Sequence, residues 1–184
     1  MKRTIDFLIA LALAPAVLPI ALALIVIIRL DSPGPGLFVQ ARVGRHGRSF
    51  RMLKLRTMKS NTGDLPSHEV GAASLTRLGG TLRRFKLDEL PQVWNVLSGS
   101  MSFVGPRPCL PTQHELIEER RARGVLAFRP GITGPGQIQG VDMSEPARLA
   151  EIEAAYFHRA SLRSDLAIMV RTALGAGGGD AVVR

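Results

Sequence analysis

The stretch Leu87-Asp88-Glu89-Leu90-Pro91-Gln92 decides how the middle of the chain is read. Two adjacent carboxylates follow the basic run Arg83-Arg84-Phe85-Lys86 and precede Val93, Trp94, Val96 and Leu97, which have helical spacing. Pro91 suits a first helical turn, whose backbone N–H groups have no intrahelical partner. Asp88 and Glu89 then sit at a helix start, where the positive end of the dipole favours negative charge. Two readings fit that placement: an acidic cap, or a carboxylate nucleophile with a metal-binding neighbour. The expected helix, Asp88 to Leu97, stops near Ser98-Gly99, with Gly99 as its cap.

Upstream, Leu75, Leu78 and Leu82 suit a helix from Ser74 to Phe85, weakened by Gly79-Gly80. The polar stretch from Ser60 to Ala73 reads as a mobile loop. Before it, Leu37, Val39, Ala41 and Val43 alternate, and after Arg45-His46-Gly47-Arg48 a second run carries Phe50 and Met52. This is a β-hairpin pattern. Its second arm ends in Lys54-Leu55-Arg56-Thr57-Met58, which aims Lys54 and Arg56 from one strand face; a charged, solvated edge strand fits the pattern equally.

Downstream, Ser102-Phe103-Val104-Gly105-Pro106-Arg107-Pro108 holds Arg107 between two prolines. A guanidinium on so stiff a backbone loses less entropy when it forks onto a phosphate, although an exposed arginine on a rigid turn has the same sequence. Thr112-x-x-Glu115 is a capping box for a helix ending near Gly124. In Arg129-Pro130-Gly131-Ile132-Thr133-Gly134-Pro135-Gly136, glycines let backbone N–H groups approach an anion and the Thr133 hydroxyl can donate. It is not a P-loop, since no Gly-Lys-Ser/Thr ends it. Ser144-Glu145-Pro146 starts a helix running to about His158. Asp165 begins a last, largely apolar helix that suits either a membrane interface, beside Arg159, Arg163 and Arg171, or a core. The tail from Gly175 to Arg184 reads as disordered.

The N-terminus is apolar from Ile5 to Ile28 with Asp6 as the only charge. As one helix it spans roughly 36 Å, enough for a bilayer core of about 30 Å. It is long for a signal h-region and lacks a convincing cleavage site. Pro15 and Pro19 predict a kink near its middle. Cations flank both ends: Lys2 and Arg3 on one side, Arg29, Arg42, Arg45 and Arg48 on the other. Positive flanks prefer the cytoplasm, so both ends favour one side. A spanning helix and a re-entrant one remain.

The 184 residues fit one domain. A net charge of +9 implies an anionic partner: nucleic acid, a phospholipid surface or a phosphorylated substrate. With one Trp, one Tyr and seven Phe, none interleaved with the basic motifs, there is little stacking surface for nucleic acid. The lone Cys109 excludes an intramolecular disulfide. A non-enzymatic membrane scaffold would explain anchor and charge, yet gives no use for adjacent Asp88-Glu89 between fixed arginines.

Five pieces in order carry a resemblance: Arg3-Thr4-Ile5-Asp6, Lys54 to Met58, Leu87 to Gln92, Met101 to Pro108 and Arg129 to Gly134. The chain resembles bacterial sugar transferases of the monotopic phosphoglycosyl transferase family in their minimal form, from about Arg3 to Leu174. The resemblance implies an α+β fold: a mainly helical single domain with a small β-hairpin and an N-terminal re-entrant membrane helix. It divides the chain into an anchor (1–30), a catalytic domain (31–174) and a flexible tail (175–184). It also implies transfer of sugar-1-phosphate from a nucleotide diphosphate sugar, most commonly a UDP-sugar, to polyprenyl phosphate such as undecaprenyl phosphate. The products would be polyprenyl diphosphate sugar and UMP.

By the same resemblance Asp88 is the nucleophile, forming an aspartyl phosphosugar, and Glu89, with Asp88, is a ligand of Mg²⁺. Arg83, Arg107 and Arg129, with Lys54, Arg56, Thr133 and Gln137, are expected to contact phosphate or nucleotide. Splitting the transfer through a covalent intermediate separates two difficult encounters, and the anionic reactants call for cationic neutralisation. Membrane phospholipids and downstream glycosyltransferases are the other expected partners, nucleic acid is not, and the expected location is the cytoplasmic face of the bacterial inner membrane. The sequence departs from the family at the membrane break, with Pro15, Leu18 and Pro19 where Ser-Pro is usual. It departs again at Pro135-Gly136, where an aromatic and an alanine are common before the glutamine.

Overall fold

The structure, a computed structural model, describes residues 1–59 and 74–177. The expected loop from Ser60 to Ala73 and the tail from Gly178 onward lie outside the described residues. The chain is mainly helical, with α1 (Lys2–Asp31), α2 (Gly79–Arg84), α3 (Gln92–Ser98), α4 (His114–Ala122), α5 (Pro135–Ile138), α6 (Pro146–Phe157) and α7 (Leu162–Ala173). Strands β1 (Leu37–Val43) and β2 (Ser49–Leu55) form the antiparallel hairpin, in register from Leu37 opposite Leu55 to Val43 opposite Ser49. A second pair, β3 (Ser102–Val104) and β4 (Gly131–Thr133), is parallel.

Helix α1 is 30 residues long and apolar enough to cross a membrane. Its buried residues are Asp6, Ala10, Val17, Ala21 and Ile28. Steps of four and seven keep them on one stripe of the helix. Ala10 and Val17 pack into one core with Met52, Val93, Val96, Met101 and Phe103. The rest of the surface exposes Phe7, Leu8, Leu11, Leu18, Leu22 and Val26 among others.

Both ends of α1 are tied to the same domain. At the start, Arg3 donates to the carbonyls of Val96 (2.6 Å) and Leu97 (3.0 Å), Lys2 pairs with Asp165 at 2.6 Å, and Asp6 accepts from the Ser102 hydroxyl at 2.7 Å. At the finish, Arg56 donates to the carbonyls of Pro33 (2.6 Å) and Ser32 (2.7 Å) and to the Ser32 hydroxyl (2.9 Å). Pro15, Leu18 and Pro19, where the sequence places the membrane break, lie inside α1, whose helical assignment runs through both prolines. Each proline removes only one N–H from the helical ladder.

Other boundaries moved for local reasons. Asp88 and Glu89 lie in a separate 3-10 turn, Leu87–Glu89, and α3 begins only after Pro91. Gly99 does cap α3 in the left-handed region, at φ 85°. The Thr112 to Glu115 capping box does not form: α4 starts after Gln113, with no side-chain cap. The last helix starts earlier than Asp165, on a box formed by Ser161 and Ser164.

The two stiff turns read from the sequence become neighbours through the β3–β4 pair. Gly105 donates to the Thr133 carbonyl and Gly131 to the Pro106 carbonyl, each at 2.9 Å. A Cβ on Gly131 would lie 2.0 Å from the Gly105 nitrogen, and one on Gly105 would lie 2.2 Å from the Arg129 carbonyl oxygen. Gly131→Ala is therefore expected to destabilise the protein by about 3 kcal/mol. Gly80→Ala, in helical conformation with open space around it, should stabilise by about 0.5–1 kcal/mol. Urea unfolding followed by Trp94 fluorescence in detergent measures both; equal midpoints would refute the packing argument.

Candidate active site

Burying two adjacent carboxylates is costly unless cations meet them. Lys86 has a left-handed conformation (φ 55°) that turns the chain sharply after α2 and delivers Asp88 inward. Asp88 is buried, and the Glu89 side chain is 13% exposed. Lys54, on β2, is buried opposite them, with Nζ 3.2 Å from Glu89 Oε1 and 3.9 Å from Asp88 Oδ2. Arg107, on the turn after β3, brings Nη2 to 3.8 Å from Glu89 Oε1. Arg83, on α2, interacts electrostatically with Asp88 and is oriented by a 2.9 Å hydrogen bond from its Nε to the Thr57 hydroxyl.

Asn95 fixes this assembly from α3. Its amide oxygen accepts from the Leu53 N–H at 2.9 Å and its amide nitrogen donates to the Arg51 carbonyl at 2.8 Å. The helix following the carboxylates is thus locked to the strand carrying Lys54. Sequence reasoning missed Asn95, because a lone asparagine in a helical pattern carries no distinguishing spacing.

The two carboxylates are electrostatically unequal. Burial pushes the Asp88 carboxyl up, and the neighbouring Glu89 adds to the rise against Lys54 and Arg83. Burial would also raise Glu89, but Lys54 and Arg107 outweigh it and hold Glu89 below its ordinary value. Burial lowers Lys54 and Arg83 despite their acidic neighbours. Two titratable groups pushed apart in this way can take different chemical roles. Three cations facing two carboxylates leave a positive excess suited to an anionic substrate.

Lys54, Arg83, Asp88, Glu89 and Arg107 therefore converge. Gln137 shares a cleft with Arg107, Asp142 and Glu153, where its Nε2 donates to the Ile132 carbonyl at 3.2 Å. Arg56 lies outside the group: buried, it is occupied by the carbonyls at the end of α1. Arg129 is also elsewhere, donating to the Gly99 carbonyl at 2.9 Å, and its charged neighbours are Arg45, Arg3 and Asp6. The Thr133 hydroxyl lies 2.7 Å from that of Thr172, on α7.

No group of three or more His, Cys, Asp or Glu side chains suited to a metal occurs among the described residues. A two-carboxylate donor set still fits Mg²⁺, which usually takes one or two carboxylates, with water and substrate phosphates completing its shell.

This geometry, a long apolar helix beside a buried group with excess positive charge, suits an enzyme that handles anionic substrates. The bacterial sugar transferase family model matches residues 1–176, and the chain belongs to that family of transferases. It is 37% identical to a UDP-glucose:undecaprenyl-phosphate glucose-1-phosphate transferase of Caulobacter vibrioides, over 93% of this chain and 67% of that protein. It is 39% identical to an undecaprenyl-phosphate glucose phosphotransferase of Komagataeibacter xylinus, over 93% of this chain but only 35% of the relative. The exopolysaccharide production protein ExoY of Sinorhizobium fredii is 34% identical, over 93% of this chain and 83% of its own length.

Linkage gives a test of the Asp88 environment. A carboxyl whose folded pKa is raised binds its proton more tightly in the folded than in the unfolded state. Stability is then lost as pH rises from the ordinary value of 3.8 through the raised one, and ionised Asp88 costs stability at neutral pH. Asp88→Asn is expected to unfold at the same or a higher temperature than wild type at pH 7, an advantage that disappears near pH 4. A lower melting temperature at pH 7 would show that Asp88 stabilises the fold instead.

Proposed function

We propose that the chain transfers sugar-1-phosphate from a nucleotide diphosphate sugar, a UDP-sugar first, to polyprenyl phosphate through a covalent intermediate on Asp88. The carrying observation is geometric: the adjacent carboxylates Asp88 and Glu89 are turned into the protein and faced by Lys54, with Arg107 at Glu89 and Arg83 acting on Asp88. The names of the relatives, which are undecaprenyl-phosphate sugar phosphotransferases, support the substrate classes.

In the first half-reaction an Asp88 oxygen attacks the phosphorus bearing the sugar. The bond from that phosphorus to the bridging oxygen breaks, and UMP leaves with the electron pair. In the second, an oxygen of the lipid phosphate attacks the same phosphorus and the Asp88 carboxylate is expelled. Arg83, Lys54 and Arg107 neutralise the phosphoryl oxygens, and their low exposure strengthens each contact. Asp88 and Glu89 would hold Mg²⁺, which supplies charge neutralisation at the diphosphate.

The same reading places the domain on the cytoplasmic face, with α1 entering the bilayer and returning. Attachment of both ends of α1 to one domain supports this over a span. Cysteines placed one at a time at Thr4 and Leu30 should both be labelled only from the cytoplasmic side of the membrane; labelling from opposite sides would establish a span.

Intact-protein mass spectrometry tests the chemistry. Enzyme mixed with Mg²⁺ and a panel of UDP-sugars, without lipid, should gain one sugar-phosphate mass with its donor. Polyprenyl phosphate should discharge it, and Asp88→Asn should not form it. Lipid-linked product without an adduct would establish direct transfer.

A further inference from the structure

Arg107 reaches Glu89 from a turn whose own backbone is held from several directions. The Pro106 carbonyl accepts from the Gly131 N–H at 2.9 Å, and the Pro108 carbonyl from Arg42 Nη1 at 3.2 Å. Between them, the Arg107 carbonyl accepts from Arg120 Nη1 at 2.8 Å, and the Arg107 N–H donates to Glu153 Oε1 at 3.3 Å. Arg120, on α4, and Glu153, on α6, are themselves joined by two parallel hydrogen bonds: Nε to Oε2 at 2.7 Å and Nη2 to Oε1 at 2.6 Å. Their side chains are 3% and 2% exposed.

A buried ion pair is a poor way to stabilise a fold, because desolvation offsets most of its attraction and apolar side chains of similar volume serve as well or better. This pair does what apolar side chains cannot: it satisfies the N–H and the C=O of one residue, in the two peptide units on either side of its Cα, on a partly buried turn. That residue is the arginine that contacts Glu89.

We propose that Arg120 and Glu153 are positioning residues for the transfer reaction: their buried fork clamps the Arg107 backbone from both sides and so fixes the Arg107 guanidinium at Glu89. The inference rests on the proposed transferase reaction for its kinetic consequence, and on geometry alone for the clamp. Displacement of a positioned group by about 1 Å can cost on the order of 100-fold in rate.

The test combines amide exchange with a mutant cycle, on the full chain in detergent or nanodiscs. Glu153→Gln removes the charge and weakens the fork. The double variant Arg120→Met/Glu153→Met removes the pair without leaving a lone buried charge, and serves where Glu153→Gln fails to fold. Either variant should speed hydrogen exchange in the peptide covering residues 105–110, while peptides from α3 and β2 keep wild-type protection. Unchanged exchange in 105–110 refutes the clamp, whatever reaction the enzyme performs.

Kinetically, the same variants should lower kcat for adduct formation by about 10- to 100-fold with a smaller change in KM. In an Arg107→Ala background they should lower it by less than threefold further, because the clamp acts through Arg107. Equal losses in both backgrounds, or a loosened turn with full activity, overturn the positioning role. An inactive wild type would count against the proposed reaction, and the exchange result would still decide the clamp.

Discussion

Two carboxylates adjacent in sequence, Asp88 and Glu89, are turned into the protein, and much of the structure answers that burden. Neither could remain ionised there without cations close by. Lys54 comes from the hairpin, Arg83 from the helix before the pair, and Arg107 from a turn some twenty residues later. Each cation is braced in turn. Lys54 sits on a strand tied by Asn95 to the helix following the carboxylates, and Arg83 is held by Thr57. Arg107 stands on a peptide bound between Arg120 and Glu153. Mutual dependence of this kind makes the group a preorganised site rather than a set of surface charges.

The bracing also separates the carboxylates chemically. Glu89 takes the closest cationic contacts, which hold its carboxyl below the ordinary value, whereas burial raises that of Asp88. A helix cap would bond the N–H groups two or three residues on, and neither the 3-10 turn nor α3 has a side-chain cap bond. Asp88 is instead buried within a 3-10 turn, and α3 starts only beyond Pro91. The capping alternative therefore does not describe this pair.

The sequence made visible those parts whose signal is local. Alternation disclosed the hairpin, Gly99 marked the end of α3, and Glu145-Pro146 the start of α6. Contacts without a periodic signature were hidden. The parallel β3–β4 pair has strands of three residues, too short for any alternation to show. Lys54 and Arg56 looked alike two residues apart, yet only Lys54 turns to the carboxylates. Arg56 is taken by carbonyls at the end of α1, which no spacing announces. Arg120 and Glu153 looked like ordinary charges on helix faces, since nothing in either helix reveals that the faces meet across a buried turn.

The long apolar helix and the charged site form one unit. Ile28, near the end of α1, packs in one cluster with Leu55 and Leu82, and Leu87 packs against that cluster. Each of the latter three is the sequence neighbour of a site residue: Leu55 of Lys54, Leu82 of Arg83, Leu87 of Asp88. Three of the five converging side chains are thus anchored by apolar residues gathered around the end of α1. A helix that merely tethered the protein would not need to reach into the core in this way. Because it does, whatever surface holds α1 also sets the position of Asp88, and the proposed transfer to a lipid-borne phosphate would use that coupling.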